Sequence, residues 1–207
     1  MDKNSASENL QVIRTLMERS ALYRRALAPI MCYCGALGLL CGVIGWKGGV
    51  RTDRAFIIFW SSVAVVALIG AFLLVRRQAL KDAEPFWSPP TRRVANALMP
   101  ALFIGMLTNV LVGYSSRGGS VINQLLLVAF WMWFYGCAIH AAGFFMQRGI
   151  RLLGWIFIIF GTILVICFMN ALRFEHIYPN LVMGFGFGGL HLAYGAYLYF
   201  TEKRKPV

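Results

Sequence analysis

Apolar and charged residues are separated along this chain into alternating blocks. Six apolar stretches of about 20 residues recur between short polar connections, and all 20 Lys and Arg and all 8 Asp and Glu lie outside these stretches. A bilayer's hydrocarbon core is roughly 30 Å thick and a helix rises about 1.5 Å per residue, so each stretch is long enough to cross it. The predicted spans are 26–46, 55–75, 94–113, 125–145, 152–172 and 181–200. The pattern therefore predicts an all-α, polytopic membrane protein whose six transmembrane helices form one bundle over residues 26–200.

The composition of the chain agrees with this prediction and argues against two classes of function. A chain of 207 residues with 59% hydrophobic residues has no room for a second, soluble domain beside six spans. The formal net charge of +12 is typical of proteins that bind nucleic acid, but the basic residues are spread over several connections and belong to no soluble fold. We therefore expect no direct nucleic-acid binding, and the charge bears on membrane topology instead.

The basic residues favour one side of the membrane. Of the 20 Lys and Arg, 15 lie in the N-terminal segment, the connections after spans two and four, and the C-terminal tail, and 5 lie in the other connections. The positive-inside rule then predicts that both termini are cytoplasmic, with residues 201–207 as a basic cytoplasmic tail.

The N-terminal segment 1–25 has the pattern of an amphipathic helix. Ser5 and Glu8 form a capping box, and apolar residues then recur at helical spacing. We expect a helix over 6–25 on the inner surface of the membrane, with Arg24 and Arg25 at the level of the phosphates. It is either a topological anchor or a helix that binds a protein.

The connection after the second span is the longest one inside the chain. Within 84–93, Pro85, Pro89 and Pro90 oppose a continuous helix, while Phe86 and Trp87 suit the headgroup interface. This segment is either an interfacial turn that aims the third span or a recognition loop. The candidate partner surface predicted from both segments consists of Arg14, Arg19, Arg24, Arg25, Trp87, Arg92 and Arg93.

Small residues at four-residue spacing predict close helix contacts in three spans. Gly38 and Gly42 mark span one, Ala101 and Gly105 are part of such a row in span three, and 184–188 carries another in span six. The neighbour is either another helix of this chain or a second copy. The string Gly184-Phe-Gly-Phe-Gly-Gly189 also satisfies G-x-G-x-x-G, but inside an apolar span it indicates helix packing and a pliable helix rather than a dinucleotide site.

Few polar side chains remain inside the spans as candidates for a ligand site. His191 lies near the middle of span six, whereas His140 lies about 8 Å nearer the cytoplasm in span four. Because two His ligands of one haem should lie at similar depth, this offset weakens the hypothesis of a haem held by both. Each is either a functional group or a neutral His bonded to a neighbouring helix. Asn109 and Asn170 are the other candidates, and uncharged amides can satisfy themselves across helices. We predict no catalytic residue and no metal site, and a haem or quinone only as a minor alternative.

Four strings carry a resemblance to a known group of proteins. They are residues 8–20, the loop Phe86-Trp-Ser-Pro-Pro-Thr-Arg-Arg93, Trp133-Phe-Tyr-Gly-Cys137 and Gly184-Phe-Gly-Phe-Gly-Gly-Leu-His-Leu192. Together they resemble a family of uncharacterised six-span bacterial integral membrane proteins, often encoded beside a winged-helix transcriptional regulator. The resemblance implies a bacterial inner-membrane protein in a regulatory setting, and it implies no catalytic or binding residue.

Three hypotheses about function follow. The leading one is a regulatory or scaffolding partner of a cytoplasmic protein, because most of the chain outside the membrane is predicted to lie inside the cell. The alternatives are an oligomeric passive channel or carrier, built on the small-residue faces of spans one, three and six, and a His-dependent quinone or haem protein. The expected partners are membrane lipids, a cytoplasmic protein and further copies of this chain, and an enzymatic activity is not favoured.

Overall fold

A computed structural model describes residues 27–81, 83, 86–115, 118–169 and 177–201 of the chain. Within these residues, six helices are long and apolar enough to cross a membrane. They are α1 (Leu27–Lys47), α2 (Asp53–Lys81), α3 (Pro89–Ser115), α4 (Val121–Ala142), α5 (Arg148–Met169) and α6 (Pro179–Thr201). The prediction of an all-α, multi-pass membrane protein is confirmed.

Some sequence predictions fall outside the described residues. These are the N-terminal helix over 6–25 with Arg14, Arg19, Arg24 and Arg25, the amide of Asn170, and residues 202–207 of the predicted tail.

The connections at two places are shorter than the sequence indicated. Helix α2 continues to Lys81, and α3 begins at Pro89, so much of the predicted connection after span two is helical. Proline is tolerated in the first turn of a helix because the N–H that it lacks has no partner there, so the proline pair begins α3 instead of interrupting it. Helix α4 ends at Ala142 and not near residue 145, because the chain turns tightly over 143–147 into α5.

Neighbouring helices run in opposite directions. Gly35 of α1 lies beside Leu192 of α6, and Gly42 further along α1 lies beside Gly184. Gly136 of α4 likewise meets Gly154 of α5. The beginnings of α1, α3 and α5 therefore lie with the ends of α2, α4 and α6 at one end of the bundle. We call this the basic end, since it carries seven of the ten Lys and Arg among the described residues, and the other the opposite end.

The helices contribute unequally to the interior. In the most apolar part of α4 half of the residues are buried within the protein, and the buried share is 39% in α6, 33% in α1 and 28% in α5. It is only 6% in α2 and 11% in α3. Helices α1, α4, α5 and α6 thus form an inner group, around buried side chains such as Met132 and Phe157. Helices α2 and α3 form a peripheral pair that is largely open to lipid.

Helices α1 and α6 pack backbone against backbone along a row of glycines. A methyl group added at Gly38 would lie 2.8 Å from the Cα of Gly188, and one at Gly42 would lie 2.8 Å from the Cα of Gly184. A backbone atom cannot withdraw as a flexible side chain can, so these positions require glycine at this helix separation. We call this contact the glycine seam. The small-residue faces predicted in spans one and six therefore meet each other within the chain.

The small-residue face of α3 is also directed inward. A methyl group at Gly105 would make ordinary contact, at 3.4 Å, with the ring of Phe134 on α4. Further along the same face, Asn109 is buried. All three predicted small-residue faces thus have neighbours inside the same chain.

Candidate functional site

The centre of α6 departs from regular α-helix just before its histidine. Residues Gly184–Gly189 form a π-helical segment, and the α-helix resumes at Leu190. Wider turns of this kind are rare and occur frequently at functional sites. The glycine-rich string that the sequence indicated to be pliable is therefore the segment where the helix changes its winding, and it sets the direction of the His191 ring.

Both ring nitrogens of His191 are hydrogen-bonded. Its Nδ1 lies 2.6 Å from the carbonyl oxygen of Phe187, and its Nε2 lies 2.6 Å from the hydroxyl of Tyr135 on α4. A carbonyl oxygen only accepts, so Nδ1 must carry the proton and donate to Phe187. In the neutral ring Nε2 then accepts from the Tyr135 hydroxyl. This tautomer follows from the bonding partners, and it makes His191 a neutral link between α4 and α6.

Aromatic rings enclose the Tyr135–His191 pair. The ring of Phe157 on α5 lies 5.0 Å from that of Tyr135 and 5.4 Å from that of His191, and Phe187 lies 5.3 Å from Tyr135. His191 is only 5% exposed. In this arrangement neither nitrogen presents a lone pair or an unengaged proton to a haem iron or a quinone oxygen. The geometry fits a neutral His bonded to a neighbouring helix.

His140 occupies a separate environment at the basic end. Its Nδ1 lies 3.3 Å from the carbonyl oxygen of Arg151 on α5, and its ring stands edge to face with Phe144 and Trp155. The Arg151 guanidinium lies 5.1 Å from the centre of the Phe144 ring, within cation–π range. The two histidines bond to different partners, and the structure gives no contact between them.

Asn109 joins three helices through its side-chain amide. Its Nδ2 donates to the Ser61 hydroxyl on α2 at 3.2 Å, and its Oδ1 accepts from the Trp131 indole on α4 at 2.9 Å. The amide is thus satisfied within the bundle, as a polar group at membrane depth requires. It fastens the peripheral pair to the inner group.

A buried carboxylate at the opposite end was missed by the sequence analysis. Asp53, at the start of α2, is 1% exposed, and it accepts hydrogen bonds from the Ser120 N–H at 3.0 Å, from Asn123 Nδ2 at 3.0 Å and from Gln124 Nε2 at 3.3 Å. Gln124 also donates to the Arg51 carbonyl at 2.7 Å. We call these side chains the Asp53 cluster. Asp53 lies in a predicted connection, where a charged residue is expected to be exposed. The one signal of its burial was the polar Asn123-Gln124 pair at the start of α4.

A second missed contact links α2 to α6 near the same end. The Trp60 indole donates to Asn180 Oδ1 at 3.0 Å, and Asn180 Nδ2 donates to the Val50 carbonyl at 3.0 Å. Asn180 and Trp60 are both buried. This asparagine therefore holds the start of α6 to the connection between α1 and α2.

The basic end presents an ordered loop with an exposed tryptophan. The Phe86 ring packs edge to face on Phe72 of α2 at 4.8 Å and lies 6.4 Å from Trp87, nearly parallel to it. Thr91 donates to the Phe86 carbonyl at 3.0 Å and shares a 2.9 Å hydrogen bond with Ser88. Trp87 remains 55% exposed on this fixed support.

Exposed cations share this end with the tryptophan. Phe72 is only one helical turn before Arg76, so its contact with Phe86 brings the loop to the level of the basic residues of α2. We define the Trp87 surface as Trp87 together with the exposed side chains of Arg76, Arg77, Lys81, Arg92 and Arg93. Trp87, Arg92 and Arg93, three of the predicted partner residues, thus lie exposed at the basic end together with three cations of α2.

The remaining candidate chemistry is sparse in the described part of the chain. Its cysteines are unpaired, and no three His, Cys, Asp or Glu residues within it lie close enough to hold a metal ion together. Comparison with family models, with curated proteins and with solved structures finds no match to this chain. The assignment of function therefore depends on the contacts described above.

Proposed function

We propose that this protein is a scaffold in the bacterial inner membrane that recruits an acidic cytoplasmic protein through the Trp87 surface. The observation that carries the proposal is the exposed Trp87, which lies in a segment held by the hydrogen bonds of Ser88 and Thr91 and followed by the exposed Arg92 and Arg93. The proposal takes both termini and the basic end as cytoplasmic, in accordance with the charge distribution.

The interior of the bundle supports a role at its surface. The buried polar residues of the described part are Asp53, Asn109, Gln124, Asn180 and His191. Each of them has a hydrogen-bond partner within the protein. Groups bonded in this way stabilise the fold and are not available to a substrate. No contact in the described residues favours the channel or the His-dependent redox protein, and both stay predictions.

The chemistry of the surface indicates the class of partner. Tryptophan and arginine are the residues that most often dominate binding energy at protein interfaces, and a rigid support lowers the entropy lost on binding. Exposed cations on one face attract an acidic partner and speed its association. We therefore expect the partner to present a carboxylate-rich segment with an apolar recess for the Trp87 ring.

The experiment compares two variants by affinity purification after mild crosslinking in cells. The double variant Arg92→Gln and Arg93→Gln removes two positive charges and introduces no negative charge. Its control is Arg148→Gln, because Arg148 is also exposed at the basic end but lies on α5. We expect the wild type and the control to recover the same soluble acidic protein. The double variant should recover about thirtyfold less, because truncating one side of charge pairs at an interface costs about 2 kcal/mol or more.

Membrane insertion must be measured in the same cells, because these arginines also bear on topology. A double variant that inserts less but recovers the acidic protein in proportion to its amount would show the residues to be topological anchors. That result, or recovery of no soluble protein by the wild type, would contradict the proposal.

A further inference from the structure

An apolar groove runs along the outside of the glycine seam toward the opposite end. It has a volume of about 230 Å³ and is lined by Leu39, Gly42, Val43, Leu181, Gly184 and Phe185. The two glycines form its floor, because α1 and α6 touch there without side chains between them. Val43 and Phe185, which are 41% and 64% exposed, form walls that face the lipid. The groove is therefore a narrow apolar slot that opens toward the hydrocarbon.

The slot continues toward the membrane surface along both helices. Lys47 follows Val43 by four residues on α1, so that it stands one turn further along the same face, about 6 Å nearer the headgroups. Tyr178 lies just before α6, where the backbone is still extended, three residues before Leu181.

An aromatic pair bridges α1 and the start of α6 beyond this end of the slot. The ring centres of Trp46 and Tyr178 lie 5.6 Å apart, which bridges α1 and α6. Both rings are partly exposed, as suits residues at the boundary between hydrocarbon and headgroups. The exposed ammonium of Lys47 stands next to this pair in sequence, where a phosphate would be found.

We propose that this slot is a binding site for one anionic phospholipid of the leaflet at the opposite end. One acyl chain lies between Val43 and Phe185 over the glycine floor, and the phosphate is bound by Lys47 beside the aromatic pair. The slot favours this occupant, since a volume of about 230 Å³ with an apolar lining has room for part of a single hydrocarbon chain. Lys47, an exposed cation beyond the end of the slot, favours a negative headgroup.

The test is native mass spectrometry of the purified full chain, titrated with phosphatidylglycerol or with zwitterionic phosphatidylcholine. Val43→Trp fills the slot from its lipid-facing wall, and Leu181→Trp fills it from the other helix. We expect the wild type to retain one phosphatidylglycerol. Each Trp variant should bind it about tenfold more weakly, because the buried methylenes lose their site.

Charge variants separate the headgroup contact from the chain contact. Lys47→Gln should weaken phosphatidylglycerol binding about fivefold and leave phosphatidylcholine binding unchanged, as expected for one cation near the membrane surface. Arg148→Gln, which is exposed at the basic end and lies outside the Trp87 surface, is the control and should change neither. Circular dichroism checks that each variant remains helical. Full retention by both Trp variants, or equal weakening by Lys47→Gln and Arg148→Gln, would overturn the proposal.

Discussion

The inner group and the peripheral pair are held together by different physical means. Along the glycine seam, α1 and α6 approach so closely that a methyl group at Gly38 would lie 2.8 Å from the backbone of Gly188. The peripheral pair makes no such approach to the inner group at Gly105, where a methyl group would meet only the Phe134 ring at 3.4 Å. It is attached by side-chain hydrogen bonds at Asn109, at the Asp53 cluster and between Trp60 and Asn180. In addition, the Tyr33 ring of α1 packs against Gly70 of α2, and its hydroxyl donates to the Val66 carbonyl.

These two means of holding helices together follow from the lipid that surrounds them. Lipid is as apolar as leucine, so burying leucine between two helices gains little, and helices associate through close packing or through hydrogen bonds. Glycines provide the first means and amides the second. A peripheral helix such as α2, with 6% of its most apolar part buried, uses the second beside the packing of Tyr33 on its Gly70. We therefore expect packing variants to damage the inner group and polar variants to release the peripheral pair.

The largest effect is expected at the Asp53 cluster. Asp53→Ala removes three hydrogen bonds to a buried carboxylate, and of the three donors Gln124 keeps a second partner, the Arg51 carbonyl. We expect a loss of about 3 kcal/mol in the free energy of unfolding, since one hydrogen bond to a charged group contributes roughly 1.5 to 3 kcal/mol. Unfolding in mixed detergent micelles measures it. Asp53→Asn, which keeps one acceptor oxygen, should lose about half as much, and equal stability of Asp53→Ala and wild type would show that the cluster does not hold α2.

A smaller effect is expected from the seam. Gly38→Ala places a methyl group against backbone atoms, so α1 and α6 must separate, and we expect a loss of about 1 to 3 kcal/mol. Gly105→Ala is the matched substitution in the peripheral pair and should change stability by less than about 0.5 kcal/mol. The same unfolding assay compares the two. Equal losses would mean that close packing does not distinguish the two regions.

The smallest effect is expected at Asn109, and it should be local. Asn109→Leu removes the bonds to Ser61 and Trp131, and interhelical hydrogen bonds in membranes contribute about 0.6 kcal/mol on average. Hydrogen exchange in nanodiscs should show faster exchange in α2 while α1 and α6 keep the protection of the wild type. Faster exchange in all helices alike would contradict a separately attached pair.

The spans could be predicted from sequence because transfer of about 20 apolar residues into lipid depends on local composition alone. The partners of the polar residues could not. Trp60 and Asn180 are 120 residues apart in the chain, and Asp53 is 67 residues from Ser120. Their meeting depends on the order in which the helices pack, and no local pattern encodes that order.

The candidate site shows the same limit. Sequence singled out His191 because polar groups at membrane depth are costly, yet its neutral state follows only from the positions of Tyr135 and Phe187. The composition of Gly184–Gly189 indicated pliability, but not the π-helical winding that it adopts. The small residues of α1 and α6 indicated a contact, and only the structure showed that each is the other's partner.

Two exposed tryptophans, Trp87 and Trp46, lie at opposite ends of the bundle and have opposite proposed roles, and a single measurement tests both. A photoreactive benzophenone amino acid replaces Trp87 in one variant and Trp46 in another, and the cells are irradiated. We predict a discrete adduct with a soluble protein from position 87, abolished by Arg92→Gln with Arg93→Gln, and a phospholipid adduct from position 46. Lipid adducts alone from both positions would contradict the proposed function, because the Trp87 surface would then contact only the membrane.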